Sequence, residues 1–128
     1  MFGNTKAFSG FAVNDLEKAK EFYGGVLGIR TEDEGVGFIL HIAGGNNVFV
    51  YPKPDHTPAT YTILNFQVSD IDQAVDTLIS KGVVMEHYDS DELATDEKGI
   101  MRGAAKQMGP NIAWFRDPAG NVLSVIED

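Results

Sequence analysis

Residues 7–13 (AFSGFAV) alternate along the chain, with Phe11 and Val13 on one face and Phe8, Gly10 and Ala12 on the other, the two-residue period of a strand. At Asn14-Asp15 the period changes. Leu16, Ala19, Phe22, Tyr23 and Val26 form one apolar stripe, with Glu17, Lys18, Lys20 and Glu21 turned to water. This predicts a helix over 15–26, capped by Asn14 or Asp15 and ended by Gly24-Gly25 and Gly28. Strands are expected at 29–33, 36–43 and 48–52, separated by turns at Glu34-Gly35 and Gly44–Asn47. The stretch 52–60 carries three prolines and reads as a linker.

The pattern then restarts. Residues 61–68 (YTILNFQV) predict a strand with Leu64, Phe66 and Val68 toward a helix and Ile63, Asn65 and Gln67 away from it. A helix over 70–81 follows, capped by Ser69 or Asp70, striped by Ile71, Ala74, Val75, Leu78 and Ile79, and stopped by Gly82. Strands are expected at 83–88, 112–116 and 121–127, with Asp117–Gly120 as a turn. The long polar stretch 89–110 contains a short strand candidate at 99–103. Val13, Asp15, Leu16, Glu17 and Ala19 are answered 55 residues later by Val68, Asp70, Ile71, Asp72 and Ala74, and Gly28 is answered 54 residues later by Gly82. A duplicated supersecondary unit explains one shared offset across strand, cap and helix.

The implied fold is α+β: two tandem βαβββ units, 1–53 and 61–128, joined by a 54–60 linker in one domain, their eight strands forming a curved mixed sheet. Two helices cover only one face of such a sheet, so the other is expected to be a concave small-molecule surface.

Length, charge and cysteine content narrow the function. At 128 residues the chain is one domain by size. It has no cysteine, hence no disulfide, thiolate metal site or cysteine nucleophile. It has no signal-peptide-like start and no apolar run of membrane-spanning length, which leads to the expectation of a cytoplasmic protein without membrane contact. A net charge of −9 without a basic cluster argues against nucleic acid. G-x-S-x-G is absent, and the paired glycines lack the setting of a phosphate loop.

Several motifs together resemble the vicinal oxygen chelate superfamily, which contains glyoxalase I, bleomycin-resistance proteins and extradiol dioxygenases. They are V-x-D-L-E-x-A-x-x-F-Y from Val13, the following Leu27-Gly28, V-x-D-I-D-x-A from Val68, and F-x-D-P-x-G-N ending at Asn121. The resemblance covers nearly the whole chain and implies four metal-binding positions. Counting seven residues back from the capping Asp15 and Asp70 gives Phe8 and Ile63. The third position lies near Tyr51, and the fourth, three residues after Asn121, is Ser124. None is an imidazole or carboxylate. A one-residue slip gives Ser9, Leu64, Val50 or Pro52, and Val125, which are no better. The expectation is a metal-free site without a cofactor, binding a small organic molecule through Phe8, Tyr51, Ile63, Asn65, Gln67, Trp114 and Ser124. The family further implies a homodimer. The alternative is an enzyme of the same superfamily, a lyase, isomerase or dioxygenase-like protein, with His41, Tyr51 or His87 as acid or base.

Individual residues also carry ordinary structural explanations. His56 in the linker reads as a surface residue, and His41 and His87 as strand histidines. A two-histidine, one-carboxylate site from His41, His87 and Glu86 does not match the family positions. Trp114 is either core or a stacking surface. Met85, Met101 and Met108 suit an irregular cavity. Asp89, Asp91, Glu92, Asp96 and Glu97 read as a solvated acidic loop.

Overall fold

Asp15 and Asp70 begin their helices in the same way. In the computed structural model, which describes residues 1–127, both sit in extended backbone (φ −134°, ψ 104° and φ −139°, ψ 100°). Each side chain accepts the amide three residues on, Lys18 N–H and Gln73 N–H, at 3.1 Å. Each cap thereby satisfies an amide that the first helical turn leaves without a partner. The 55-residue echo is thus an echo of geometry.

The chain divides into two compact units, Met1–Thr57 and the residues from Pro58 on. Asp128, the last residue of the expected second unit, lies outside the described residues. The first unit contains β1 (Ser9–Val13), α1 (Leu16–Lys20), β2 (Thr31–Glu34), β3 (Gly37–Leu40) and β4 (Val48–Pro52). The second contains β5 (Thr62–Val68), α2 (Ile71–Ser80), β6 (Ile100–Arg102), β7 (Asn111–Arg116) and β8 (Val122–Glu127). The eight strands are hydrogen-bonded as two four-stranded sheets with the same connectivity, β1-β4-β3-β2 and β5-β8-β7-β6. In each, the first and last strands of the unit run parallel and the other neighbours antiparallel.

In the first unit Val13, Phe38, Leu40 and Val50 are fully buried together with Tyr23, whose ring lies 5.6 Å from that of Phe11. The helix expected over 15–26 is α-helical only to Lys20 and continues over Glu21–Val26 as a π-helix. Leu27 N–H bonds to Phe22 C=O, five residues back, and Ile29 N–H to Tyr23 C=O. Gly24 and Gly25 have no side chains to hold the tighter spacing, so the turn widens there.

In the second unit Ile71, Val75 and Leu78 are buried, and α2 packs on β7 and β8. Ile79, expected in the same stripe, is 47% exposed. The strand expected at 83–88 is not formed. Met85 makes a single bridge to Phe115, and Glu86 N–H bonds to Trp114 C=O. The remainder of that β7 edge belongs to β6, with Ile100 opposite Ala113 and Arg102 opposite Asn111. Two separate segments therefore share one strand edge, which leaves neither room for a full-length strand.

Asp96 also departs from expectation, because it organises the loop rather than merely solvating it. Its carboxylate accepts the amides of Lys98 and Ile100, both at 2.9 Å, and Arg102 Nε–H at 3.1 Å. Arg102 forks onto Asp72 of α2 at 2.9 and 2.7 Å. The Arg102 bond, joined by Lys98, holds the Asp72 carboxyl well below the usual carboxylate range. At Asp96 burial raises the pKa, but the Ile100 amide, Arg102 and the Lys98 amide outweigh it and lower the net value. A carboxylate with a depressed folded-state pKa contributes its stability above its unfolded value, near 4, and loses it as pH falls through the folded value. The amide resonances of Lys98 and Ile100 are therefore expected to hold position down to about pH 4 and to move only in stronger acid. Asp96 titrating at or above the ordinary aspartate value by NMR would contradict this. Among the described residues no helix is long and apolar enough to cross a membrane.

Candidate functional site

The sheet register determines which candidate residues meet. Across the second sheet Asn65 of β5 stands opposite Ser124 of β8, and Ser124 opposite Trp114 of β7, so the three form one row. Their neighbours Leu64, Leu123 and Phe115 point to the other face, where Leu123 and Phe115 pack in the core. This places the row on the face away from α2. Gln67, two residues along β5 and opposite Ile126, shares that face. Ile63 falls in a register irregularity between Thr62 and Leu64. Such a bulge re-aims side chains locally, and it brings Thr62 to the same face as Trp114.

The contacts along the row are polar and aromatic. Ser124 is fully buried, and its hydroxyl donates to Asn65 Oδ1. Trp114 is half-buried, and its Nε1–H donates to Thr62 Oγ1 at 3.1 Å. Tyr88 meets the indole edge-on, with ring centroids 5.6 Å apart and planes at 84°. Glu86 binds Arg116 Nε, and the same guanidinium donates to Gly120 C=O at 3.1 Å. Thr62 and Tyr88 escape a reading by residue type alone. Thr62 enters through the bulge, and Tyr88 lies in a connection that the Met85–Phe115 bridge and the Glu86–Trp114 backbone bond bring beside the tryptophan.

The turn entering β8 is built from its own side chains. Asp117, 5% exposed, accepts the amides of Ala119 and Asn121 on Oδ1 and Asn121 Nδ2–H on Oδ2, all at 2.9 Å. Gly120 has φ +87°, where a side chain is strained. The D-P-A-G-N run is thus a rigid support that sets the start of the strand bearing Ser124.

The other candidates lie in the first unit or on the margins of the second. Phe8 precedes β1 and is 77% exposed. Tyr51 of β4 stacks on Phe49 at 6.1 Å and 18°. His41 Nε2 lies 2.7 Å from Glu32 Oε1. With Ile39 opposite Phe49, Tyr51 and His41 fall at opposite ends of their shared face and do not form one catalytic group. His87 in the second unit has Nδ1 3.1 Å from Met85 C=O and Nε2 3.1 Å from Glu97 C=O. His41, His87 and Glu86 are each engaged with other partners. Among the described residues no group of three His, Asp or Glu side chains is arranged to hold a metal ion. The side chains at the four family positions, Phe8, Tyr51, Ile63 and Ser124, do not fit a divalent cation, since they offer two hydrocarbons, a phenol and a hydroxyl already bonded to Asn65.

A family model described as the Glyoxalase/Bleomycin resistance protein/Dioxygenase superfamily matches residues 7–125. No curated protein matches. Solved structures similar to this chain include the antibiotic-binding protein TnmS3 from Streptomyces sp. CB03234, with 20% identity, TM-score 0.64 and 97% of each chain covered. The fosfomycin resistance protein FosX from Listeria monocytogenes is similar at 15% identity and TM-score 0.69, covering 98% of this chain and 93% of that one. An integron cassette protein from the mobile metagenome of the Halifax Harbour sewage outfall has 21% identity and TM-score 0.65, covering 96% of this chain and 99% of that one. At these identities the likeness establishes the fold.

Proposed function

The chain belongs to the Glyoxalase/Bleomycin resistance protein/Dioxygenase superfamily, and from that premise we propose that it binds a small organic molecule without a metal at the superfamily's usual ligand positions. One observation carries this. Where the family places its carboxylate ligand, Ser124 presents a hydroxyl bonded to a carboxamide, in one row with an indole. An indole supplies a broad stacking surface, and a carboxamide supplies direction without charge. That TnmS3 is an antibiotic-binding protein supports the same reading.

A second reading, enzymatic, is favoured by the His41–Glu32 pair. A carboxylate bonded to one imidazole nitrogen orients the ring so that the other nitrogen is available to move a proton.

One experiment separates the two. The chain's single tryptophan makes Trp114 emission a reporter of the proposed site. A panel of aromatic compounds is titrated with and without Zn2+, Mn2+ and Ni2+, while each mixture is sampled by chromatography for new products. Binders are expected to change the emission and to raise the melting midpoint, by about 2.7 kcal/mol of stabilisation at a hundredfold excess over the dissociation constant, equally with and without metal. Binding that requires one equivalent of a divalent ion would refute the proposal. Turnover that disappears in His41→Ala would replace it with the second reading.

A further inference from the structure

We infer that the ligand of this face is an uncharged, planar molecule bearing a hydrogen-bond acceptor, a carbonyl or a ring nitrogen, and that Asn65 Nδ2 is the group that reads it. The inference rests on the binding function proposed above and specifies the chemistry of the same site.

Ser124 sets the orientation of the amide. Its fully buried hydroxyl donates to Asn65 Oδ1. The carboxamide oxygen is thereby turned toward β8 and the NH2 group is left outward. Among the described residues Asn65 Nδ2 makes no hydrogen bond, although Asn65 is exposed enough to meet a ligand. An oriented donor with no internal partner selects an acceptor, because a ligand lacking one leaves it unsatisfied. Gln67, exposed and likewise without a hydrogen bond among the described residues, lies roughly 7 Å further along the same face. It gives the site a second neutral anchor.

Planarity follows from Trp114. Its N–H is committed to Thr62 and its ring is braced edge-on by Tyr88. The indole cannot reorient to donate, so what it offers is its flat surface. Neutrality follows from the rest of the face. Asn65, Gln67, Ser124, Ile126, Ile112 and Trp114 include no ionisable group. The one guanidinium at its end, Arg116, is held by Glu86 and Gly120 C=O. A charged ligand would lose hydration here without gaining a counterion.

Three probes of equal shape test this: 2-naphthamide, 2-naphthoate and 2-naphthylmethylamine, each titrated by calorimetry into the full chain at neutral pH. The amide is expected to bind at least about tenfold more tightly than either charged probe. Asn65→Asp, at an exposed position, is expected to reverse that order in favour of the ammonium. Ser124→Ala, which frees the amide to rotate, is expected to weaken 2-naphthamide several-fold while leaving the two charged probes unchanged. Naphthoate or the amine binding as tightly as the amide, or an unaltered order in Asn65→Asp, would overturn the ligand class while leaving the binding function standing. The wild-type order alone decides the matter should Asn65→Asp fail to fold. Binding by none of the three would overturn both.

Discussion

Gly37→Ala is expected to destabilise the chain by about 3 kcal/mol or more, through a clash that no rotamer can relieve. A Cβ at this position would stand 2.1 Å from the carbonyl oxygen of Val50, and 3.1 Å from Phe49 Cζ. The obstacle at 2.1 Å is backbone, so relief requires β3 and β4 to part. Those strands pair at Phe38–Val50 and Ile39–Phe49, and both Phe38 and Val50 are fully buried. Separating them opens the core of the first unit. The thermal midpoint is expected to fall by roughly 10 °C or more. Gly35→Ala is the control. Its φ is +58° and a Cβ there meets nothing within 4 Å, so it tests conformational strain without collision. A loss of only about 1 kcal/mol is expected for it. Equal melting of the two variants would show that the close approach carries no energetic weight.

Asp117→Ala is expected to cost a comparable amount for a different reason. Removing the carboxylate leaves the Ala119 amide, the Asn121 amide and Asn121 Nδ2–H without the acceptor they share. The turn is buried around Asp117 and Asn121, so water does not readily replace it. Losing an acceptor costs about 1–3 kcal/mol per buried donor, and part of that is recovered by relaxation, giving a net loss of about 3 kcal/mol. Asp117→Asn provides an internal check. It keeps the Oδ1 acceptor but turns an NH2 toward Asn121 Nδ2, donor against donor. It should lose roughly half as much. Urea midpoints give both values. An alanine variant within about 0.5 kcal/mol of the parent would mean that the D-P-A-G-N motif is held by its backbone alone.

What the sequence made legible depended on the range of the interaction. The helix caps at Asp15 and Asp70 are local, and their chemistry is visible in the residue and its followers. The alternation in 61–68 placed Asn65 and Gln67 away from the helix correctly, because a strand with one core face has little freedom of register. The motif count led to Ser124. That Ser124 would meet Asn65, 59 residues earlier, was not visible, since the pairing of β5 with β8 depends on sheet order rather than on any local pattern. The segment 83–88 was misread for the opposite reason. Its apolar character suits a strand, but β7 offers it only one bridge because β6 occupies the rest of the edge. Asp96 was misread because its three bonds come from groups that converge only once the loop is folded. Tyr88 ends the strand expected at 83–88, and its place against Trp114 comes from a contact between distant segments that no local pattern encodes.

The shared edge of β7 has an evolutionary consequence. Since the sheet is met at Met85 and Glu86 and again at Ile100, the residues from His87 to Gly99 make no pairing with β7. Residues 88–94 can lengthen, shorten or change composition while the Glu86 bonds before them and the Asp96 bonds after them stay in place. Tyr88, which abuts Trp114, belongs to that replaceable insert. A lineage can therefore change what stands against Trp114 by editing one excursion, and leave the paired strands of the sheet untouched.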